Sequence, residues 1–494
     1  MSAPPLLTSQ AGELSRRRRM VVLAICCLSM LVVIMDNTIV NVALPAIRTD
    51  LHASVAGLQW TVDAYTLVLA GFLMLAGSTA DRVGRRRTFQ VGLVSFGLGS
   101  LLCSLGPGIG WLVAARAVQA AGGTMLNPVA MAIVANVFTD RVERAWAIGV
   151  FGSVSGLSLG LGPILGGALV DWIGWRSIFW VNVPIVVAAI VCAALFVPES
   201  RAPRPRRFDP VGQLLVFVVL AGLVYVIIES PRLGWTSPVT LSLLGAVAIG
   251  LVGLVSYEPR RVDPLLELRF FRSLPFCGAL VAAVSGLFGY GSFLFLNTLF
   301  LQEVRGFSAL VTGLCLLPVA VLIVVLSPLT GRIVGSRGVR LPLLVAGAAL
   351  AASGLVGTWL SPATPLPVLL GGYLLFGVFL GMVNPPITTS AVAGMPVSMA
   401  GVAASVASAS RQVGVTLGVA VSGSVVGAAL AWGGPAFTAA THAVWWVLVG
   451  LGLLIVVLAF VTTSGRALRS AERAAASFEA PFEAPFETSV GGRQ

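Results

Sequence analysis

The sequence predicts an all-α membrane protein with fourteen transmembrane helices. Of its 494 residues, 57% are hydrophobic and only 10% are charged, whereas soluble domains carry about 25% charged residues. A helix needs roughly 20 apolar residues to cross a bilayer, and runs of that kind recur along most of the chain. The hydropathy pattern predicts spans at residues 20–44, 57–79, 88–106, 110–136, 145–170, 178–197, 212–229, 238–256, 275–300, 309–330, 341–360, 366–390, 402–430 and 442–463.

The distribution of arginines predicts the orientation of these spans. With the N-terminus inside, 25 of the 31 basic residues fall on the inner side, four lie in outer loops, and Arg116 and Arg411 lie within helices. Basic residues concentrate in cytoplasmic loops of membrane proteins. We therefore predict a multi-pass membrane protein with both termini in the cytoplasm. The net charge of +12 then reflects topology, and no nucleic-acid partner is expected.

Composition excludes several classes of function. The chain contains no lysine, which excludes the phosphate-binding loop of ATP-driven pumps. His52 and His442 are the only histidines, too few for a histidine-rich metal site. We predict no ATP use, no enzyme activity, no metal and no cofactor, so uphill work would depend on an ion gradient or a partner. The six cysteines lie in apolar runs and are predicted to be buried thiols.

Two acidic residues stand within apolar runs of the first half. An ionised Asp36 near the middle of the first span would cost about 2.5–3.5 kcal/mol, so it is expected to face an interior cavity. Asn37 and Asn41 lie beside it, four residues apart on one helical face. Asp63, in the second span, is either a second working carboxylate or a group in contact with water near the outer mouth.

The inner loop after the second span has a more specific pattern. It reads Gly77-Ser-Thr-Ala-Asp81-Arg82-Val-Gly84-Arg85. Such a loop ties two helix ends together, and we expect Asp81 to cap the next helix. The spacing resembles the hallmark loop of the major facilitator superfamily. This resemblance implies that Gly77, Asp81, Arg82, Gly84 and Arg85 form a latch for one conformation.

Further motifs strengthen the resemblance, which extends from about residue 20 to 463. The segment from Asp36 to Pro45 is similar to the first-helix signature of the fourteen-span drug:proton antiporters. Arg116-Ala-Val-Gln119 resembles the arginine motif of the family, with Ala120 in place of the usual glycine. Three further segments match this branch, the first resembling the motif that marks exporters: Gly162-Pro163-Ile-Leu-Gly166-Gly167, Trp175-Arg176 and Asn182-Val-Pro184.

An internal repeat indicates two related halves. Gly331 to Arg340 repeats the latch loop at an offset of 254 residues, with Gly335 where Asp81 stands in the first copy. The same offset places Tyr290 at the position of Asp36. We predict a major facilitator fold in a 6+2+6 arrangement, with two parallel six-helix repeats around two inserted helices. Proton chemistry should belong to the first half.

These observations divide the chain into six segments. They are an N-terminal segment (1–19), a first six-helix bundle (20–197), a linker (198–211), two inserted helices (212–256), a second bundle (275–463) and a disordered tail (464–494). The linker and the tail, with its repeated Phe-Glu-Ala-Pro, are expected in the cytoplasm.

The resemblance implies a monomeric antiporter of the bacterial plasma membrane. It would exchange entering protons for a small hydrophobic compound leaving the cell. Asp36 would be the main protonation site, Arg116 would bias it, and Asp63 would assist. Arg116 needs an acidic partner, either Asp36 or Asp63, and a purely structural ion pair is the alternative. Two carboxylates favour a cationic substrate, but Arg116 would occupy one of them. The expected substrate-binding residues are Asn37, Asn41, Gln119, Asn127, Tyr290 and Asn297.

Two other functions stay open from the sequence. One is a gradient-driven carrier of an endogenous metabolite or lipid, against which the exporter motif counts. The other is a membrane receptor or scaffold that does not transport. The intramembrane charges of Asp36 and Arg116 count against it, because such charges are costly unless they have a function.

Overall fold

The computed structural model describes residues 15–202, 208–261, 264–265, 267–395 and 397–479. These residues fold mainly into helices with short connections. The α-helices are α1 Arg16–Asp50, α2 Val55–Val83, α3 Arg85–Ser104, α4 Ile109–Val137, α5 Arg141–Trp172, α6 Ser177–Trp180, α7 Asn182–Phe196, α8 Pro210–Leu233, α9 Pro238–Tyr257, α10 Leu274–Leu299, α11 Ala309–Cys315, α12 Leu317–Arg337, α13 Arg340–Gly357, α14 Leu366–Val392, α15 Val397–Val426, α16 Gly434–Thr462 and α17 Gly465–Glu479.

Helices occupy all fourteen positions at which the sequence predicts a span. Among the described residues, twelve helical segments are long and apolar enough to cross a membrane. The remaining two positions are those of α3 and α15. The first turn of α3 consists of arginines, and α15 carries Arg411 and many small polar residues. Fourteen spans are compatible with these helices, and the transmembrane position of α3 and α15 stays a prediction.

Three helix boundaries differ from the sequence-based prediction. The expected end of the first helix at Pro45 is wrong, since α1 continues through this proline to Asp50. A proline removes the backbone hydrogen bond to the carbonyl four residues earlier, here that of Asn41, and membrane helices tolerate such a loss inside a packed bundle. The sixth predicted span is split into α6 and α7, and the tenth into α11 and α12.

The helices form two bundles. In the first bundle (α1–α7), α1 packs on α5, and α4 packs on α2 and α3. In the second bundle (α10–α16), α10 packs on α15, while α13 packs on α14 and α16. The inserted helices α8 and α9 pack on each other, and α8 also contacts α2 and α15. The insertion therefore lies beside the seam between the bundles.

The two bundles are joined firmly at the end where α1 and α5 end and α2 and α11 begin, which we call the sealed end. Four kinds of contact meet there. The Asp171 carboxylate accepts hydrogen bonds from the backbone N–H groups of Ala309 and Leu310 at 3.1 and 2.9 Å. Arg48 pairs with Glu303 at 3.1 Å, Gln302 donates to the Val42 carbonyl at 2.9 Å, and Gln59 donates to the Ala420 carbonyl at 2.6 Å. The arginine distribution predicts that the sealed end is the outer one, and this orientation stays a prediction.

The predicted disorder of the tail is wrong for residues 465–479, which form α17. Its alanines at 467, 471 and 474 are buried, and α17 packs on α10 and on the turn Leu268–Arg272. Near the end of α17, the ring centroids of Phe478 and Phe270 are 5.5 Å apart. The Arg269 guanidinium lies over the Phe478 ring, 4.5 Å from its centroid. The small apolar face of α17 is therefore buried against α10 and this turn. The rest of the Phe-Glu-Ala-Pro repeat and residues 203–207 of the linker lie outside the described residues.

Candidate functional site

The centre of the first bundle holds an ion pair between α1 and α4. Arg116 Nη1 lies 2.5 Å from Asp36 Oδ2, and both side chains are fully buried. The charges lie within helices that are apolar along most of their length, where an unpaired charge would be costly. Pairing with hydrogen bonding compensates that cost. Of the two partners that the sequence allowed for Arg116, the structure brings Asp36 into contact.

Neutral side chains complete the coordination of the carboxylate. Asp36 Oδ1 accepts hydrogen bonds from Gln119 Nε2 and Asn182 Nδ2, both at 2.8 Å. The same two amides also donate to Ser100 Oγ, at 3.2 and 3.0 Å. The carboxylate therefore has three N–H donors from α4 and α7, an arrangement that suits its ionised form.

Arg116 is held by more than Asp36. Its Nε donates to the Thr61 carbonyl on α2 at 3.2 Å, and its Nη1 also donates to Gln119 Oε1 at 2.7 Å. The guanidinium lies 4.0 Å over the ring of Tyr65, a cation–π geometry. Only Nη2 is buried without a hydrogen-bond partner among the described residues. The network thus joins α1, α2, α4 and α7 and retains one spare donor.

Asp63 is in a different environment. It is fully buried, and neither carboxylate oxygen has a hydrogen-bond partner among the described residues. One turn away, Thr66 accepts a hydrogen bond of 2.7 Å from Thr416 of α15, and on the other side Gln59 donates to the Ala420 carbonyl of α15. Asp63 therefore lies in the seam between α2 and α15. Its complete burial does not fit the alternative of a carboxylate in water at the outer mouth.

A narrow cavity lies between the bundles. It has room for only about 10 Å³, roughly one water-sized sphere, and is lined by Asn37 and Asn41 of α1, Val62 of α2, Tyr290, Gly291 and Leu294 of α10, and Val415 and Val419 of α15. The Oδ1 atoms of both asparagines are buried without a partner among the described residues. The cavity is too narrow for a drug-sized molecule, which occupies sites of roughly 300–1,000 Å³.

Three of the six residues predicted to bind substrate line this cavity, namely Asn37, Asn41 and Tyr290. The other three lie elsewhere. Gln119 belongs to the Asp36 network. Asn297 is buried in the second bundle, where Oδ1 accepts a hydrogen bond of 2.6 Å from Tyr373. Asn127 is half-buried on α4, with its Oδ1 unpartnered among the described residues.

The latch loop is tied to the end of its own bundle. Arg85 pairs with Asp81 at 3.1 Å, and the Asp81 carbonyl accepts from Ala202 N at 3.1 Å. The expectation that Asp81 caps α3 is wrong, because Glu199 performs that function: its Oε1 accepts from Arg86 N at 3.0 Å. Glu199 reaches the helix terminus because residues 199–202 run antiparallel to the loop.

Two other latch residues have distinct surroundings. Gly84 has φ 125°, a conformation suited to glycine, and a Cβ there would lie 2.6 Å from Glu199 Oε1. Gly77 has open space around its Cα, and nothing in the structure explains why a glycine stands there. Arg82 is exposed at the end of α2.

The glycines of the exporter-like motif in α5 let this helix pack closely on α1 and on the start of α11. A Cβ at Gly162 would collide with the Thr38 hydroxyl of α1, two residues from Asp36, and one at Gly166 would lie 2.5 Å from Ile39 Cγ1. A Cβ at Gly167 would collide with the Ala309 carbonyl in the second bundle. Pro163 lies inside α5 without ending it. The motif therefore packs the ion-pair helix on one side and the sealed end on the other.

Sequence reasoning missed part of the Asp36 site. Asn182 was noted as part of a matching motif, but its direct contact with Asp36 was not anticipated. Ser100 and Tyr65 were not singled out for this network at all. Only the motif at Asn182 carried a usable signal, since serine and tyrosine in apolar helices are too common to indicate a site.

The fold and the buried ion pair together define a secondary transporter of the two-bundle type, in which parallel repeats enclose a central site. The chain belongs to the major facilitator superfamily, whose family model matches residues 26–419.

Relatives at 35–39% identity are resistance and export proteins. Multidrug resistance protein Stp of Mycobacterium tuberculosis is 39% identical over 401 residues, which cover 81% of this chain and 74% of that protein. The tetracenomycin C resistance and export protein of Streptomyces glaucescens is 35% identical over 80% of this chain and 74% of its own length. The puromycin resistance protein pur8 of Streptomyces alboniger is 37% identical over 80% of each chain.

Solved structures share the fold at low identity. The peptide transporter POT in complex with sulfate superposes with a TM-score of 0.65 and 15% identity, over 91% of this chain and 95% of that chain. A bacterial homologue of the human lysosomal transporter Spinster, in an inward-facing and unoccupied conformation, gives 0.59 and 18% over 94% and 98%. The chain thus has the major facilitator fold.

Proposed function

We propose that the protein exports small hydrophobic drugs or antibiotics from the cell in exchange for protons. The buried Asp36–Arg116 pair carries this proposal, because a compensated carboxylate beside the central cavity can alternate between a paired and a protonated state. The relatives are named for drug or antibiotic resistance and, in one case, export, which supports the same class.

The coupling step follows from the geometry of the pair. In the described conformation Asp36 is paired with Arg116 and accepts hydrogen bonds from two amide groups, those of Gln119 and Asn182, which favours the ionised carboxylate. If Arg116 moves away, the carboxylate loses its counter-charge in an apolar setting and takes up a proton. A movement of α4 relative to α1 that carries Arg116 away from Asp36 would thus couple proton uptake to a rearrangement of the helices.

Asp63 is proposed as a second coupling residue. It has no hydrogen-bond partner at the seam of α2 and α15, so an ionised carboxylate there would be costly while the seam is closed. Separation of α2 from α15 would expose Asp63 to water. A proton on Asp63 would therefore favour the closed seam, and its release would favour an open one.

The direction of access rests on the arginine distribution. Cytoplasmic termini, which the arginine distribution predicts, would make the sealed end the outer one, and compounds would enter from the opposite end, in the bilayer or the cytoplasm. The protein is proposed to work as a monomer, because one chain contains both bundles and the cavity between them. The energy is sufficient: a proton crossing ~100 mV releases about 2.3 kcal/mol, and a tenfold gradient of a neutral compound costs about 1.4 kcal/mol.

The test is a resistance panel in cells that express the chain, followed by proteoliposome transport of the compound most strongly exported. With an imposed proton gradient, the native chain should concentrate this compound, and a protonophore should abolish the accumulation. Asp36→Asn keeps the shape of the side chain but cannot exchange a proton. It should lose uphill transport while retaining downhill exchange of a neutral compound.

Asp63→Asn is the matched comparison. We expect it to reduce export of cationic compounds and to spare coupled export of neutral ones. Protonophore-sensitive accumulation by Asp36→Asn would place the proton site elsewhere. If no drug in the panel is exported but a metabolite or lipid is, the substrate class changes from drugs to endogenous compounds. The proposed coupling mechanism would then still hold.

A further inference from the structure

Arg411, in the middle of α15, is a second intramembrane arginine with surroundings unlike those of Arg116. Its Nη1 donates to Thr388 Oγ1 of α14 at 3.2 Å, and its Nη2 donates to Ser408 Oγ at 3.1 Å. No ion pair among the described residues includes Arg411. Hydroxyl groups orient the guanidinium but do not neutralise its charge.

Arg411 lies inside the second bundle, between its centre and the end at which α14 terminates, because its partner Thr388 stands four residues before the last residue of α14. Gly414, less than one turn along α15, approaches Val284 closely, at the middle of α10. A charge at such depth is costly and usually has a partner or a function. In the first bundle Asp36 supplies that partner for Arg116. In the second bundle the described residues supply none for Arg411, so the site has an uncompensated positive charge.

Arg411 also lies on the same face of α15 as a residue that lines the central cavity. Residues four apart lie on one helical face, and Val415, four residues after Arg411, lines the cavity. α15 reaches the sealed end at its other terminus, where Ala420 contacts Gln59. Arg411 therefore lies on the side of the cavity away from the sealed end, and it is half-buried beside an exposed Thr388. A compound that approaches the cavity from the end opposite the sealed end would meet Arg411.

We propose that Arg411, oriented by Thr388 and Ser408, binds an acidic group of the exported compound. A guanidinium is planar, stays charged, and matches a carboxylate with two parallel hydrogen bonds. This inference rests on the proposed export function and names its substrate class: hydrophobic compounds with a carboxylate. In the described conformation Asp36 is held in its ion pair and Asp63 is covered in the closed seam, so neither carboxylate is the first charge that an entering compound meets. Opening of the seam would make Asp63 available to cationic compounds. The charge that an entering compound meets first is positive.

The experiment measures binding of two dyes to the purified full chain by fluorescence anisotropy. Rhodamine 110 has a free carboxylate, and rhodamine 123 is its methyl ester with the same aromatic body. The native chain should bind rhodamine 110 more tightly. Arg411→Gln should weaken rhodamine 110 roughly tenfold or more, as expected for a charge-assisted hydrogen bond, and change rhodamine 123 by less than about twofold. Arg411→Lys keeps the charge and should retain part of the preference.

Two further variants make the result decisive. Arg473→Gln removes an exposed arginine of α17 and should change neither dye. Thr388→Val, which keeps the arginine, should cause a smaller loss selective for rhodamine 110, and it serves if Arg411→Gln does not fold. Equal native affinities for the two dyes, or equal weakening of both by Arg411→Gln, would overturn the proposal and assign Arg411 to helix packing. Proton-driven accumulation of rhodamine 123, measured separately, shows whether the export function stands by itself.

Discussion

The two bundles are related in sequence, yet their centres differ in chemistry. The first holds a charged network around Asp36, in which Gln119 donates to the carboxylate. At the corresponding positions, 254 residues later, the second bundle has Tyr290 and Tyr373. There Tyr373 donates to Asn297, and Phe293 stacks on Phe376 with ring centroids 3.9 Å apart. A phenol does not exchange its proton near neutral pH.

This difference assigns distinct tasks to halves of similar shape. A network of ionised groups has two alternative arrangements whose balance a proton can change. A core of neutral aromatic rings has no such response and offers apolar surface instead. The comparison therefore predicts that substitutions in the first centre act on coupling, while substitutions in the second act on stability or substrate preference.

The largest expected effect comes from removing the cation of the first bundle. Arg116→Leu leaves Asp36 buried without its counter-charge, which typically costs 3–5 kcal/mol. We expect a strongly lowered thermal unfolding temperature of the purified protein and no uphill transport. Adding Asp36→Asn to Arg116→Leu should restore most of the stability, because the uncompensated charge is then gone.

Arg411→Leu is the control in the second bundle. No described acidic group is left unpaired by this change, so it should be neutral or stabilising. If Arg116→Leu unfolds at the temperature of the native protein, or if Arg411→Leu is equally destabilising, the contrast between the two arginines fails.

An intermediate effect is expected in the two copies of the latch loop. The Asp81–Arg85 pair is a partly exposed pair four residues apart, worth about 0.3–0.5 kcal/mol in the described conformation. We nevertheless expect Asp81→Asn to slow transport tenfold or more, because the latch would act in another conformation. Gly335→Asp, which restores an acid to the second copy in open space, should have little effect. Transport rates in proteoliposomes, normalised to the amount inserted, would measure both, and a twofold loss for Asp81→Asn would reduce it to a local surface pair.

The smallest effect is expected in the aromatic centre. Tyr373→Phe removes one hydrogen bond to Asn297, worth about 0.5–1.5 kcal/mol, and keeps the ring in place. Thermal unfolding should shift by a few degrees, while the ratio of protons to substrate transported stays at the native value. A change in that ratio would show that the second bundle takes part in proton exchange.

The sequence was informative where one residue type is decisive. Asp36 stands out because an acid is rare within a long apolar run, and the loop from Gly77 to Arg85 stands out by its spacing. The choice between Asp36 and Asp63 as the partner of Arg116 depended on distances between helices, which helical periodicity does not contain.

Other features were missed because they depend on packing. Asn182 meets Asp36, and Ser100 meets the two amides that donate to Asp36, only after α3 and α7 are placed against α1 and α4. The cap on α3 comes from Glu199, which follows a different helix, so no local pattern could have replaced Asp81 with it. The helix α17 was mistaken for disorder because its composition is polar and its apolar face consists only of alanines. This face becomes buried only when the turn before α10 packs against it.

The hydrogen bonds of Asp171 at the sealed end have a consequence for which residues can be substituted there. Asp171 accepts its hydrogen bonds from the main chain of Ala309 and Leu310, so every residue type except proline supplies the donor. Half-buried Leu310 can therefore change identity without any matching change at Asp171. Proline, which helices normally accept in the first turn, would be the exception there, and a scan of all substitutions at 310 would reveal it as the one poorly tolerated residue. At Asp171 the contact between the bundles is made with a helix end and not with a particular side chain, so this part of the second bundle can diverge while Asp171 stays as it is. The Arg48–Glu303 pair at the same end, in contrast, requires both of its residues.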